Sequence, residues 1–208
     1  NYHFNQTKIL KPFKVNINFE KYKRIFNLFS KKIRAGETYQ IKICTKYKNK
    51  SEIDPVSFFW KLMKVNSSPE AFMIRDKNYS IVSCSPETLI EKKGLKVTTK
   101  PIAGTLKKNQ KLNKSKALNF FKNNNKETKE HNMIVDMERN DLSKICKPGS
   151  VVIKRKKYVE EYKHLYHYVS TIEGKLKNNI NLKNIIKSMM PGGSVIGCPK
   201  IRTLQLLN

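Results

Sequence analysis

The sequence predicts an α+β fold whose strands are mainly antiparallel. Three observations carry that prediction. Apolar residues recur at helical spacing in several separate segments. Strand-like stretches flank short polar or glycine turns, as in hairpins. The order is helix, strand, helix, strands, helix, strands, helix, which is not the regular alternation of βαβ units.

The elements follow in order. Residues 19–33 place Tyr22, Ile25, Phe26, Phe29 and Ile33 on one helical face, and Gly36 ends the helix. Residues 39–47 alternate as a strand, with Tyr39, Ile41 and Ile43 on one side and Gln40, Lys42 and Cys44 on the other. A second helix is expected over 54–65, with Pro55 in its first turn and Phe58, Phe59, Leu62 and Met63 inward. Hairpins are expected at 71–74 with 79–84, and at 88–91 with 95–99 around Gly94. A short helix over 116–121 and a polar loop at 123–125 precede the longest helix, 127–143. The Lys/Asn-rich stretch 107–129 reads as a mobile surface excursion. Strand character returns at 151–153 and 158–172, with Gly174 ending the run. A helix over 182–190 stops at Pro191, and Pro199 opens another.

Composition bounds the function. At 208 residues the chain can hold one good core, with two subdomains possible. No apolar run approaches a membrane span and no signal peptide starts the sequence, so a cytoplasmic or equivalent reducing compartment and no membrane partner are expected. The chain starts at Asn1 and ends at Asn208 in the middle of a helical pattern, and it reads as a piece of a longer protein. The net charge of +27 invites a nucleic-acid reading. It is set aside because arginine is confined to Arg24, Arg34, Arg75, Arg139, Arg155 and Arg202, and the lysines spread over the whole length without a recognised motif. A general positive field would still draw in a dianionic substrate. Cys44, Cys84, Cys146 and Cys198 have no metal or redox spacing and are expected to be reduced core or near-core residues.

Some residues carry chemistry in their own right. Gly192, Gly193 and Ser194 lie between two helices, where free amides and a helix start favour an anion; an ordinary glycine turn explains them equally well. Glu130 shares a helix face with Met133, Ile134 and Met137, and a carboxylate there is either a first-turn residue or a group needing a partner. Glu87 follows a strand at a turn and His167 sits in a strand; alone, the first reads as an ordinary exposed residue and the second as structural.

Six blocks change these readings together. They are AGETYQIKI at 35–43, SPETLI at 85–90, KPIAGT at 100–105, KETKEHNMIVDMERNDLSKICKPGSVVI at 126–153, HLYHYVSTIEGKL at 164–176 and PGGSVIGCPKIR at 191–202. In this order they resemble the chorismate-utilising enzymes: aminodeoxychorismate synthase and anthranilate synthase component I, with the isochorismate and salicylate synthases as cousins. The resemblance covers nearly the whole chain. It implies a chorismate-binding fold of two orthogonally packed sheets flanked by helices, of which residues 1–208 would be a partial catalytic domain.

The resemblance also implies roles. Glu87 would be the general acid that protonates the departing C4 hydroxyl, and Glu130 a Mg²⁺ ligand whose partner carboxylate lies beyond Asn208. Gly104, Thr105 and the Gly192–Gly193–Ser194 turn would contact chorismate. His167 would lie near the ring and its carboxylate. Gln40 stands where water-activating relatives carry Lys, which points to ammonia as nucleophile, fed by a glutamine amidotransferase subunit or fused domain. Ala103 resembles the anthranilate branch, whereas PGGS and ERNDL resemble the aminodeoxychorismate branch. The leading expectation is amination of chorismate to 4-amino-4-deoxychorismate, with anthranilate formation as the alternative. Ser143 and Lys144 replace the family's usual Gly-Arg, and Lys lacks the bidentate fork of Arg.

Overall fold

The computed structural model describes residues 8–208. In chain order the elements are β1 (Lys8–Ile9), β2 (Lys14–Val15), α1 (Phe19–Arg34), β3 (Gln40–Ile41), β4 (Tyr47–Lys48), β5 (Ser51–Glu52), α2 (Pro55–Val65), β6 (Glu70–Arg75), β7 (Ser80–Ser85), β8 (Thr88–Lys93), β9 (Lys96–Lys100), β10 (Ile102–Lys107), α3 (Lys114–Asn123), α4 (Asn125–Ile145), β11 (Val152–Glu161), β12 (Leu165–Lys175), α5 (Leu182–Met189), α6 (Gly193–Ile196), β13 (Gly197–Cys198) and α7 (Lys200–Leu207). Two compact units result. One holds the described residues up to Val65, with Phe72–Ser83 and Val195–Asn208; the other holds Asn66–Ala71 and Cys84–Ser194. No helix among the described residues is long and apolar enough to cross a membrane.

In the second unit, β12 is the centre of a five-stranded antiparallel sheet. β11 runs along one of its edges; β10 and then β9 share the other, and β8 completes the sheet beyond β9. Alternation along β12 sends Tyr166, Tyr168 and Ile172 to one face. There Tyr166 and Tyr168 join Ala117 and Phe121 of α3, and the Phe121 ring stacks on Tyr168 at 4.9 Å between centroids. Ile172 joins Val135, Leu142 and Ile145 of α4 and Ile185 and Met189 of α5. The stretch 107–129 is therefore no loose excursion: it supplies two fully buried core residues, Ala117 and Phe121.

α4 starts where α3 stops. Asn124 is the C-cap of α3, and its side-chain oxygen accepts from the Lys126 and Glu127 amides to cap α4. The expected three-residue loop is thus one shared residue. The buried stripe of α4 is His131, Ile134, Val135, Met137, Glu138, Asp141, Leu142 and Ile145 at helical spacing, with Glu130 half-buried at its margin. Two expectations about strands fail nearby. The run 158–172 is broken by a turn, closed by the Tyr162 amide donating to the Leu165 carbonyl. Gly174 does not end β12 but lies inside it, opposite Val97.

In the first unit, α1 is capped by Asn18, whose side chain accepts from the Lys21 amide, and Gly36 follows its C-cap Ala35. α2 is capped by Asp54, which accepts from both the amide and hydroxyl of Ser57. The alternation expected over 39–47 yields only two separate short strands, β3 and β4; Cys44 between them is exposed, not near-core. Tyr22, Phe26, Ile33, Phe58 and Trp60 also remain exposed among the described residues. β3 pairs β13, bringing Gln40 opposite Cys198. The Thr38 hydroxyl lies 2.7 Å from the Cys198 carbonyl and 3.0 Å from the Thr203 hydroxyl, so the chain after the glycine stretch is tied to 38–41. Helical geometry begins earlier than expected, because Gly193–Ile196 already form the single turn α6.

Candidate active site

The candidate site of the second unit is organised by the start of β10. The ladder between β10 and β12 shifts register between Ile102 and Thr105, a β-bulge. Gly104 makes it possible: its φ is +119°, and a Cβ there would stand 2.9 Å from Cε1 of Phe121 and 3.1 Å from Oε2 of Glu127. Only a residue without a side chain fits under both neighbours. A buried carbonyl set free by a bulge needs another partner. For Ala103 that partner is Nδ1 of His131, 3.2 Å away on α4.

After the bulge the strand delivers Thr105 opposite His167. The Thr105 hydroxyl lies 3.0 Å from Nδ1 of His167. His167 is buried, and burial pushes its imidazole below the ordinary value, opposed by the Gly104 backbone and the Glu160 carboxylate. Glu160 is its cross-strand neighbour on β11 and takes hydrogen bonds from the hydroxyls of Tyr158 at 3.1 Å and Tyr162 at 2.7 Å. The Tyr162 ring meets the His167 ring edge-on at 5.1 Å. Burial, then the Glu160 bond, raises the Tyr162 phenol above its ordinary range, so it stays a donor. The result is a neutral imidazole at the sheet surface, held from both sides.

Glu87 reaches the same strand from the turn between β7 and β8. Its Oε1 accepts the Ile102 amide at 3.2 Å. Four of the sequence-derived residues, Glu87, Gly104, Thr105 and His167, therefore meet along four positions of β10. Glu130 sits on α4 next to His131, so the helix that carries it is tied to this strand through Ala103. Gly192 and Gly193 are buried, and Gly193 lies against Met137 of the same helix. The tight contact gives Gly193 a packing reason in addition to any anion-binding one. Ser194 is half-buried at the end of this unit. Gln40 belongs to the first unit, where its Oε1 is buried with no hydrogen-bond partner among the described residues. A cavity of about 550 Å³ in that unit, lined by Ile53, Phe58, Arg75 and Tyr79 among others, includes none of the sequence-derived residues.

Two residues escaped the sequence reading. His131 is 1 % exposed, fully hydrogen-bonded and pushed below its ordinary value by burial. Its signal was its place directly after Glu130 in the longest helix. Glu127, one turn before Glu130, leans over Gly104. As a metal site the described residues are incomplete: no group of three or more His, Cys, Asp or Glu among them is placed to hold an ion. Mg²⁺ normally gathers several oxygens, so Glu130 could supply one ligand while the described residues do not supply the rest.

Comparison with known proteins agrees with this layout. A sequence profile described as chorismate binding enzyme matches residues 2–208. Aminodeoxychorismate synthase component 1 of Bacillus subtilis is 34% identical over 176 residues, 84% of this chain and 37% of that protein. Anthranilate synthase component 1 1 of Haloarcula marismortui is 34% identical over 177 residues, 85% of this chain and 36% of that protein. The crystal structure of anthranilate synthase component I from Streptococcus pneumoniae superposes with a TM-score of 0.83 at 29% identity, covering 95% of this chain and 44% of that one. The menaquinone-specific isochorismate synthase of Escherichia coli, at 15% identity and a TM-score of 0.80, shares the fold. The chain spans less than half the length of each of these proteins. The profile match over nearly every residue makes this chain a member of the chorismate binding enzyme family.

Proposed function

We propose that the protein to which this chain belongs aminates chorismate with ammonia, giving 4-amino-4-deoxychorismate. The observation that carries the reading is the meeting of Glu87, Thr105 and His167 on one bulged strand. Hydroxide is a poor leaving group, so replacing the C4 hydroxyl needs a proton donor beside it. Glu87 gives its proton to the departing oxygen, which leaves as water. The ammonia lone pair forms the new C–N bond, and the surplus proton on nitrogen returns to the carboxylate. Thr105 and neutral His167 orient the ring carboxylate. Gln40, a neutral amide with an unmet acceptor, suits ammonia better than an activated water. Ammonia would come from a glutamine amidotransferase subunit or fused domain. Mg²⁺ belongs to the same proposal, with Glu130 as one ligand; bound there, it would polarise the substrate carboxylate.

Ala103 favours a second reading, anthranilate formation. It is buried and offers no amine for a covalent adduct with the ring, leaving direct attack of ammonia at C2 with departure of the protonated C4 hydroxyl as water, followed by loss of pyruvate. Incubating the full-length protein with chorismate, MgCl₂ and an ammonium salt separates the two. A product retaining the enolpyruvyl group supports the first; anthranilate with free pyruvate replaces it by the second; no consumption of chorismate overturns both. Omitting Mg²⁺ with EDTA present is expected to abolish turnover.

A further inference from the structure

His131 is tied on both ring nitrogens. The Ala103 carbonyl can only accept, so Nδ1 carries the proton and donates across 3.2 Å. Nε2 is then the acceptor, and the Ser170 hydroxyl, 2.7 Å away, donates to it. Ser170 in turn accepts the Lys157 amide at 2.9 Å. Lys157 has φ +50°, left-handed backbone that a side chain makes costly, at the point where β11 slips register against β12. Two bulges in two strands, at Lys157 and at Gly104, are thus joined through one hydroxyl and one imidazole. The ring is pinned in place by Tyr168, 4.6 Å away between centroids.

We propose that His131 is a positioning residue: by holding the Ala103 carbonyl it fixes the bulge that sets Thr105 against His167. It touches neither reacting atoms nor substrate. Without it the freed carbonyl has no partner in a water-poor site, and the chain from Ala103 to Thr105 would relax back toward regular ladder pairing. Relaxation of even one residue matters, since it would turn the Thr105 hydroxyl away from the His167 face. The inference depends on the proposed function only for the purpose of the site, not for the geometry.

Two amides separate this from a role in simple packing. The nitrogen of Asn at position 131 falls where Nδ1 stands and can donate to Ala103; the head group of Gln reaches instead to the Nε2 position and Ser170. In ligand-free chain, His131→Asn is expected to keep wild-type amide exchange across residues 104–106 and the wild-type ¹⁵N shift of the His167 Nδ1. His131→Gln is expected to raise exchange there about tenfold, the loss of roughly one buried hydrogen bond, and to move that shift. Equal behaviour of the two variants overturns the proposal, as does a better-preserved site in His131→Gln. Should His131→Gln fail to fold, Ser170→Ala serves: it removes the hydroxyl that orients the ring, and is expected to raise exchange across 104–106 as well, while an unchanged profile overturns the proposal. In full-length protein, kcat/KM for chorismate should follow the same order. A protein that turns over no chorismate, with the exchange pattern intact, would count against the proposed function and leave the positioning role standing.

Discussion

Gly193 packs against Met137, whose Sδ and Cε occupy the space that a Cβ at position 193 would need. This contact joins the glycine stretch to α4, the helix that also carries Glu130 and His131. Gly193→Ala is therefore expected to cost about 1–3 kcal/mol, as overpacking does, measured as a drop in urea midpoint. Met137→Ala opens the space. The double variant should lose less than the two single losses added, by about 1 kcal/mol. Strict additivity would mean that the two residues do not meet.

Two buried imidazoles give the fold a pH signature. His131 and His167 both lie below their ordinary value of 6.5, first because burial disfavours the charged ring. The unfolded chain therefore binds protons at a pH where the folded chain does not. Stability is unaffected by these groups well above 6.5 and falls as pH drops through that value, until the folded rings also titrate. Urea unfolding between pH 7.5 and 5.5 should show a falling midpoint. His131→Asn, which cannot titrate, should flatten part of that fall. A slope identical to wild type would mean that His131 is not neutral in the folded chain.

The long helix, the two hairpins and the α+β class were legible because each rests on local periodicity or on a turn. What was not legible depended on partners far along the chain. Residues 39–47 alternate well, yet only Gln40 and Ile41 form the strand that pairs β13, more than 150 positions away. His131 was passed over because its partners, Ala103 and Ser170, stand 28 and 39 positions from it. Gly174 looked like a stop because glycine weakens strands. It is there because Cys146 leaves no room: a Cβ would stand 2.6 Å from the Cys146 Sγ. Motif order placed Glu87, Thr105 and His167 among the site residues, but that they meet on one bulged strand needed the register of β10.

The pair Thr38 and Thr203 tests the tie between the chain's early and late segments. Both are buried, and their hydroxyls stand 3.0 Å apart, with the Cys198 and Pro199 carbonyls as further acceptors. Thr203→Val keeps the shape and removes the hydroxyl, leaving Thr38 with its carbonyl partners only. A loss of about 1 kcal/mol is expected, with faster amide exchange at Tyr39, which donates to Cys198. No change in either would show that the hydroxyl contact is idle.

Glu87→Gln separates chemistry from structure at the centre of the proposed reaction. Gln keeps the size of Glu and retains an oxygen to accept the Ile102 amide, so β10 should hold its place and the stability read from urea unfolding should change by less than about 0.5 kcal/mol. What Gln cannot do is give a proton to a leaving hydroxyl. If Glu87 is the acid, kcat of the full-length protein on chorismate falls about 10²–10⁴-fold while KM changes little, because the substrate is still held by the same strand. A Glu87→Gln enzyme with near-normal kcat would remove Glu87 from the reaction and leave it as the side chain that anchors the start of β10.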